Sequence, residues 1–342
     1  RDRSVSRGLG DVYKRQVLQP LYEKQNNIMV NLFNRLYSIS FNDSYLLDKL
    51  KINSLLRYAV RVLANRILPY CLSNRKHYGL FIGERTEKIV VSLTSFPNRI
   101  SKLWMVIETI LSQSIKPDKV ILYLSKVQFP RLEEDLPDSL LNMKARGLDI
   151  RFVEGDIRSH KKYYYVMQAY PDDLIITVDD DIFYPTTMIQ TLVQYHELYP
   201  KSVICRYAKS IVWDSNMTIK SSLKWSRIYK TKFGGQDIFL GTGGGTLFPM
   251  PGTSLYRDTL NIALACDLCP LEDDLWLNTM IRLQNTEIVV VKNYKGILPV
   301  LNTRDVMLYS SNGGENNLTD SQLRNTILYY ERNGLNPFKQ FN

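Results

Sequence analysis

The sequence predicts an α/β fold: a mostly parallel sheet flanked by helices, preceded by an N-terminal helical extension. Three observations predict it. From residue 88 onward, short apolar runs alternate with stretches of helical spacing, the rhythm of strands joined by helical crossovers. The runs are rich in Val, Ile and Leu, as strands covered on both faces are. The composition, 342 residues with 44% hydrophobic and 23% charged, is that of a globular chain large enough to bury a core without disulfides.

The elements follow in order. Residues 1–16 (RDRSVSRGLGDVYKRQ) lack apolar periodicity; they read as a non-native artefact and are left out of fold reasoning. Residues 17–80 read as a basic helical extension and 81–342 as the main domain. Within 17–53, one or two short helices are expected around Leu21, Val30, Leu32, Phe33 and Leu36. A better helix spans 54–68, with Leu55, Leu56, Ala59, Val60, Val62, Leu63 and Ile67 on one face and Arg57, Arg61 and Asn65 opposite. KIVVSLTS (88–95) is a strand, 99–114 a helix, DKVILYL (118–124) a strand, 137–146 a helix opened by Pro137, and LDIRFVEG (148–155) a strand. Lys161–Tyr170 is helical, and DLIITV (173–178) is the fourth strand, ending in Asp179, Asp180 and Asp181. A helix to Tyr199, a strand VICRYA (203–208), the glycine run GTGGGTLF (241–248), a helix at 272–283, a strand at 287–291 and a last helix at 319–333 complete the chain. Thr319 or Asp320 is the expected cap of that last helix.

Charge narrows the function. Of the formal net charge of +10, the first 80 residues hold +9. The main domain carries no basic stripe of the kind nucleic acid requires, so no nucleic-acid partner is expected. Helix 54–68 admits two readings: it lies on an anionic membrane, or it packs on the main domain with its arginines in water. The second takes precedence, because amphipathic helices mostly pack on their own protein. No stretch reaches 18 uncharged apolar residues, so no transmembrane helix is expected, and the expected location is cytoplasmic, with peripheral contact on the inner face of the cell membrane through 54–68 under the first of these readings. The four cysteines suit free thiols rather than a secreted framework or a zinc site.

The chemistry lies in two carboxylate groups. In VDDDIFYP (178–185), strand alternation points Asp179 and Asp181 one way and Asp180 the other. Three carboxylates at one strand end repel unless a cation offsets them, and hard oxygen ligands favour Mg²⁺ or Mn²⁺. The SLTSFPNR loop (92–99) leaves the carboxyl end of the first strand, so both segments should face one crevice. EDDLW (272–276) opens a helix, where acids are electrostatically favoured. GTGGGT (241–246) lacks the lysine of a phosphate-binding loop; it permits close backbone approach, as room for sugars or as a bulged strand.

At this point the chain resembles the GT-A-fold, nucleotide-sugar-dependent glycosyltransferases, and among them bacterial enzymes of polysaccharide and lipopolysaccharide biosynthesis. The elements that carry the resemblance are SLTSFPNR, LWMVIETILSQSIKPDKVILYLS (103–125), DIRSHKKYY (156–164), YPDDLIITVDDDIFYP (170–185), GTGGGTLFP, CPLEDDLW (269–276) and LTDSQL (318–323), in order over roughly 86–335. The resemblance implies a GT-A-like sheet and a DxD pair at Asp179 and Asp181, with the metal on Asp181 and the ribose or metal on Asp179. Asp180 belongs to the same donor segment. It implies Thr94, Phe96 and Arg99 around base and ribose, Asp156 as a further nucleoside contact, and Arg158, Lys161 or Lys162 at the donor phosphates. Ser125 stands where the family often has an acid. It implies a catalytic base in EDDLW, Asp273 first and Asp274 second, with Trp276 as a platform under a sugar ring.

The expected function is therefore metal-dependent hexosyl transfer from a nucleotide diphosphate sugar, a UDP-sugar first, to a glycan or lipid-linked oligosaccharide, with inversion. Two rivals stand beside it. A metal-dependent nucleotidyltransferase would want a glycine- and base-rich loop after the first strand, which SLTSFPNR is not. A non-catalytic binding protein of the same fold would not need both carboxylate groups.

Overall fold

A computed structural model of the protein describes residues 28–41, 49–73, 75, 77–216, 218–234, 237–291, 296–301 and 317–338. The readings for residues 1–27, Leu21 included, lie outside the described residues. Among the described residues, eight strands form the main sheet: β1 (Ile89–Thr94), β2 (Lys119–Ser125), β3 (Leu148–Val153), β4 (Leu174–Val178), β5 (Val203–Cys205), β8 (Lys232–Phe233), β10 (Gly244–Pro249) and β11 (Ile288–Val290). Their order is β3-β2-β1-β4-β10-β5-β11-β8. β1, β2, β3 and β4 are mutually parallel, as are β5 and β11, while β10 runs antiparallel between β4 and β5. A three-stranded sheet, β7 (Ser226–Arg227), β6 (Ala208–Ser210) and β9 (Ile238–Leu240), stands beside it. The fold is thus a mixed α/β, Rossmann-like sheet flanked by helices.

Strand alternation builds a core on each face. Ile89, Val91, Leu93, Leu122 and Ile176 pack under α1 (28–39), α2 (Ile52–Leu72), α3 (Leu103–Leu111) and α5 (Met188–Leu198). Val90, Ile121 and Ile175 pack on the other face, under α4 (Lys161–Ala169), α7 (Asp273–Leu283) and α8 (Leu318–Arg332). Among the described residues no helix is long and apolar enough to cross a membrane.

Five local readings differ. The 99–114 helix is a turn at Pro97–Ile100 followed by α3, and 137–146 holds only the short helix Asp138–Leu141 and a 3-10 turn. VICRYA splits between the two sheets, as β5 and β6. Asn317, rather than Thr319 or Asp320, caps α8, accepting from the Asp320 N–H. The largest difference is α2, whose buried positions are Asn53, Val60, Ala64, Leu68 and Leu72. Tertiary hydrogen bonds turn its polar side inward: Asn65 Nδ2 donates to Pro299 O at 2.9 Å, Asn65 Oδ1 accepts from Leu301 N at 2.7 Å, and Arg57 Nη1 donates to Ser40 O at 2.8 Å. These bonds outweigh the wheel, which ranks side chains only by hydropathy.

α3 carries one acid, in the core beneath it. Glu108 is wholly buried and paired with Arg146 and, at 3.5 Å, with Arg75, which also donates to Ser112. Glu108→Ala leaves two arginines buried without their carboxylate. Urea denaturation should show a loss of about 3–5 kcal/mol, and an unchanged midpoint would contradict the structural role assigned to this triad.

Candidate functional site

The sheet order places a topological switch between β1 and β4: from β1 the chain goes to β2 and β3 on one side and to β4 on the other. In open α/β sheets the crevice beyond the carboxyl ends of such strands is where ligands bind. The segments after β1 and β4 meet there. Asp180 turns back to the β1 loop, accepting from Ser95 Oγ and Arg99 Nη1, each at 2.6 Å. Arg99 also lies 3.3 Å from Asp181. Burial opposes the Arg99 charge, but Asp180 and Asp181 more than offset it and hold the guanidinium above its ordinary pKa. Asp179 faces the other way, toward Lys162; β4 ends at Val178 and Asp181 shares Arg99 with Asp180, so strand alternation does not carry through the run to set Asp179 and Asp181 together on one side.

Asp179 meets Lys162, whose ammonium is the centre of the site. Lys162 stands near the start of α4, is 4% exposed, and donates to Asp179 Oδ1 at 2.8 Å. The same nitrogen lies 3.0 Å from Asp273 Oδ2 at the start of α7. Burial would discharge this lysine, but Asp179, Asp273 and Asp274 outweigh burial and raise its pKa well above the ordinary value.

The glycine run forms the floor between the two carboxylate groups. β10 pairs antiparallel with β4, with a register irregularity between Gly244 and Thr246. Asp179 N donates to Gly243 O at 3.2 Å and to Tyr184 Oη at 2.8 Å. A Cβ on Gly243 would lie 1.7 Å from Asp179 Oδ2. Gly241 and Gly244 pass the Tyr207 side chain, where a Cβ would come within 2.5 and 2.6 Å of it. Thr242 lies between the helix-start acids: its N–H donates to Asp274 Oδ1 at 2.8 Å, and its hydroxyl touches Asp273 Oδ2 at 2.8 Å and also Asp274.

The two acids of α7 differ in protonation. Burial pushes Asp273 up, but Lys162, His160 and Thr242 outweigh it and hold the carboxyl below its ordinary value. Burial and then the charge of Asp273 push Asp274 up to about 7. In the aspartate run, burial together with Asp179 and Asp180 pushes Asp181 up to about 7.

The structure thus gathers Arg99, Lys162, Asp179, Asp180, Asp181, Asp273 and Asp274 around one crevice. The remaining expected residues lie differently. Thr94 Oγ1 donates to Tyr123 O at 2.8 Å, and Phe96 is half-buried with the Arg99 guanidinium carbon 5.2 Å from its ring centre. Asp156 is exposed and forms its own turn, accepting from Arg158 N at 3.0 Å, Gln128 Nε2 at 2.9 Å and Lys161. Of the three expected phosphate cations, Lys161 and Lys162 are buried against carboxylates, and Arg158 is exposed with φ 53°.

Trp276 is no platform: it is fully buried, and its indole donates to Thr259 O at 3.1 Å. His160, beside the expected phosphate cations, is buried between Tyr163 Oη and Cys269 O. Sequence reasoning missed Ser95, Tyr184 and Thr242. The density of glycine in 241–245 signalled a close approach there, without indicating that Asp179 is what approaches. Among the described residues, no group of three or more His, Cys, Asp or Glu side chains is arranged to enclose a metal.

No protein-family model and no curated protein matches the chain. Among solved structures, it is similar to a crystal structure of 4-diphosphocytidyl-2C-methyl-D-erythritol synthase, with 10% identity and a TM-score of 0.31, over 53% of this chain and 86% of that one.

Two substitutions test this arrangement by equilibrium unfolding. Gly243→Ala drives a methyl into Asp179 and should cost about 1–3 kcal/mol as backbone and carboxylate move apart. Lys162→Met leaves Asp179 and Asp273 facing each other without their cation and should cost about 3–5 kcal/mol. Adding Asp273→Asn to Lys162→Met should recover part of that loss. A double variant no more stable than the single one would show that Lys162 acts by packing rather than charge.

Proposed function

We propose that this chain is a metal-dependent glycosyltransferase acting in the cytoplasm. It moves a sugar from a nucleotide diphosphate donor, a UDP-sugar first, to a hydroxyl of a glycan or lipid-linked oligosaccharide in surface polysaccharide synthesis. The observation that carries the reading is the convergence of two carboxylate groups on one buried ammonium, at the crevice of a mostly parallel sheet. One group closes a strand and the other opens a helix, so a donor and an acceptor can be served from different sides.

The residues divide the work as follows. The pair Asp179 and Asp181 suits a divalent cation: both are oxygen donors, and burial first, then the neighbouring charges of Asp179 and Asp180, raise the Asp181 carboxyl, a repulsion that a cation would relieve in part. Mg²⁺ or Mn²⁺ held there would offset the charge of the leaving diphosphate as a Lewis acid. Asp180 is engaged by Ser95 and Arg99 and so fixes the β1 loop, with Thr94 and Phe96, on the nucleoside side. Asp273 is tied to Lys162 and kept ionised, which makes it a poor proton acceptor. Asp274 is half-buried and poised near neutrality, the condition for a general base. This reverses the order expected from the sequence. An acceptor hydroxyl that loses its proton to Asp274 attacks the anomeric carbon from the face opposite the diphosphate, which gives inversion.

Thermal unfolding with UDP, GDP, dTDP and CMP, each with and without Mn²⁺, is the direct test. A ligand that binds only the folded state at about 100 times its Kd stabilises by about 2.7 kcal/mol. The expected result is a shift with UDP that requires Mn²⁺ and disappears in Asp181→Ala; no shift with any nucleotide would sink the reading. For the base, Asp274→Asn should lower kcat by about 10²–10⁴-fold. A carboxyl raised to about 7 is deprotonated above that pH, so wild-type kcat/KM should climb as pH passes through about 7. That acid limb should be missing from the residual activity of Asp274→Asn. Were Asp273→Asn the variant that abolishes it, the two roles would be interchanged.

A further inference from the structure

The helices α1 and α2 bury one side and leave the other apolar. α1 buries Val30, Phe33 and Tyr37, yet Ile28, Leu32, Leu36 and Ile39, spaced as one helical stripe, are 37–55% exposed. α2 buries Val60, Ala64, Leu68 and Leu72, yet Leu55, Leu56, Leu63, Ile67 and Tyr70 are exposed, Leu55 by 69% and Tyr70 by 79%. Of the 25 exposed large hydrophobic residues among the described ones, 12 lie between Ile28 and Tyr70. A soluble surface scatters such residues singly, so this concentration marks a contact face.

The charge around the face selects its partner. Residues 28–41 and 49–83 contain no Asp or Glu. Exposed cations stand within and beside the stripes: Arg35 on α1, Lys49 and Lys51 before α2, and Arg66 between Leu63 and Ile67 on α2. A second copy of the same face would bring the cations of these two helices together with no acid on either helix to pair them, the nearest acids in sequence being Asp43 and Asp48 of the segment that joins the helices. Residues 1–27 carry six basic and three acidic side chains, so that segment is not complementary either. An anionic lipid surface answers both features, as it accepts apolar side chains below its headgroups and cations among its phosphates. Long basic side chains within an apolar stripe reach the headgroup level by snorkelling.

We propose that the outward faces of α1 and α2 seat the protein on an anionic lipid surface. Ile28, Leu32, Leu55, Leu63 and Ile67 enter the interface, and Arg35, Lys49, Lys51 and Arg66 meet lipid phosphates. The proposal does not rest on glycosyl transfer, and nucleotide binding can fail while it stands.

Flotation of the full chain tests it, using vesicles of phosphatidylcholine alone and of phosphatidylcholine with phosphatidylglycerol. The protein should float with the anionic vesicles and several-fold less as salt rises from about 0.1 M to about 1 M. The triple variant Leu55→Ser, Leu63→Ser, Ile67→Ser alters only exposed positions. It should keep the wild-type unfolding midpoint and lose at least about tenfold in vesicle-bound fraction. Wild-type protein that stays down with anionic vesicles overturns the proposal and leaves the face to another segment of the chain. Flotation unaffected by the triple variant also overturns it. So does a dimeric mass in light scattering that the variant returns to a monomer, which would assign the face to a second copy.

Discussion

The arrangement of the crevice depends on one ammonium group. Asp179 ends a central strand and Asp273 begins a helix far along the chain, and both lie within 3.0 Å of Lys162 Nζ. With one oxygen 2.8 Å and the other 3.0 Å from the same nitrogen, the two carboxylates can be no more than about 6 Å apart at those atoms, and without a cation between them they would repel by about 3 kcal/mol or more at an effective dielectric near 20. Lys162 turns that repulsion into two attractions. It does so from a fixed place, because Ser92 Oγ on β1 donates to the Lys162 carbonyl at 2.7 Å and ties the first turn of α4 to the sheet. The position of α7 relative to β4 is thereby set by charge as well as by the core beneath it.

That clamp separates the carboxyls into two kinds. Asp180 and Asp273 are spoken for, one by Ser95 and Arg99, the other by Lys162 and Thr242. Asp181 and Asp274 stand next to them, and burial together with the charge of their neighbours pushes both up to about 7. Environments that push neighbouring carboxyls apart are how one site assigns different roles to identical side chains. α8 steadies the approach to α7: Gln322 Oε1 accepts from Leu271 N at 3.0 Å, and Thr319 donates to Glu272 at 2.7 Å. The acids therefore begin a helix whose entry is held from outside.

Much of this was legible in the sequence. The strands β1, β2 and β4 were plain because parallel strands covered on both faces are apolar at every position, and Ile89 to Leu93 feed both cores by simple alternation. The aspartate run and EDDLW were plain because carboxylates are costly unless used. Tertiary choices were not legible. Nothing in the dipeptide Lys161-Lys162 says that one lysine turns to Asp156 and the other to Asp179. α2 is the sharper case: its hydropathy stripe points outward, because Asn65 and Arg57 spend their hydrogen bonds on backbone groups of distant segments.

The glycine run shows why the partial reading still converged. Four glycines in 241–245 admit two interpretations, a bulged strand or room for sugars, and the structure shows the register irregularity, with the space beside Gly243 taken by the Asp179 carboxylate. β10 must pair with β4 to complete the sheet, yet β4 ends in a carboxylate that occupies the space a side chain on Gly243 would fill. Only a residue without a Cβ lets the strand pass Asp179, and the residue before it, Thr242, then reaches both Asp273 and Asp274. This one run leads into the strand that completes the sheet, passes Asp179 and bridges the α7 acids. A change made there for stability is therefore also a change to the site.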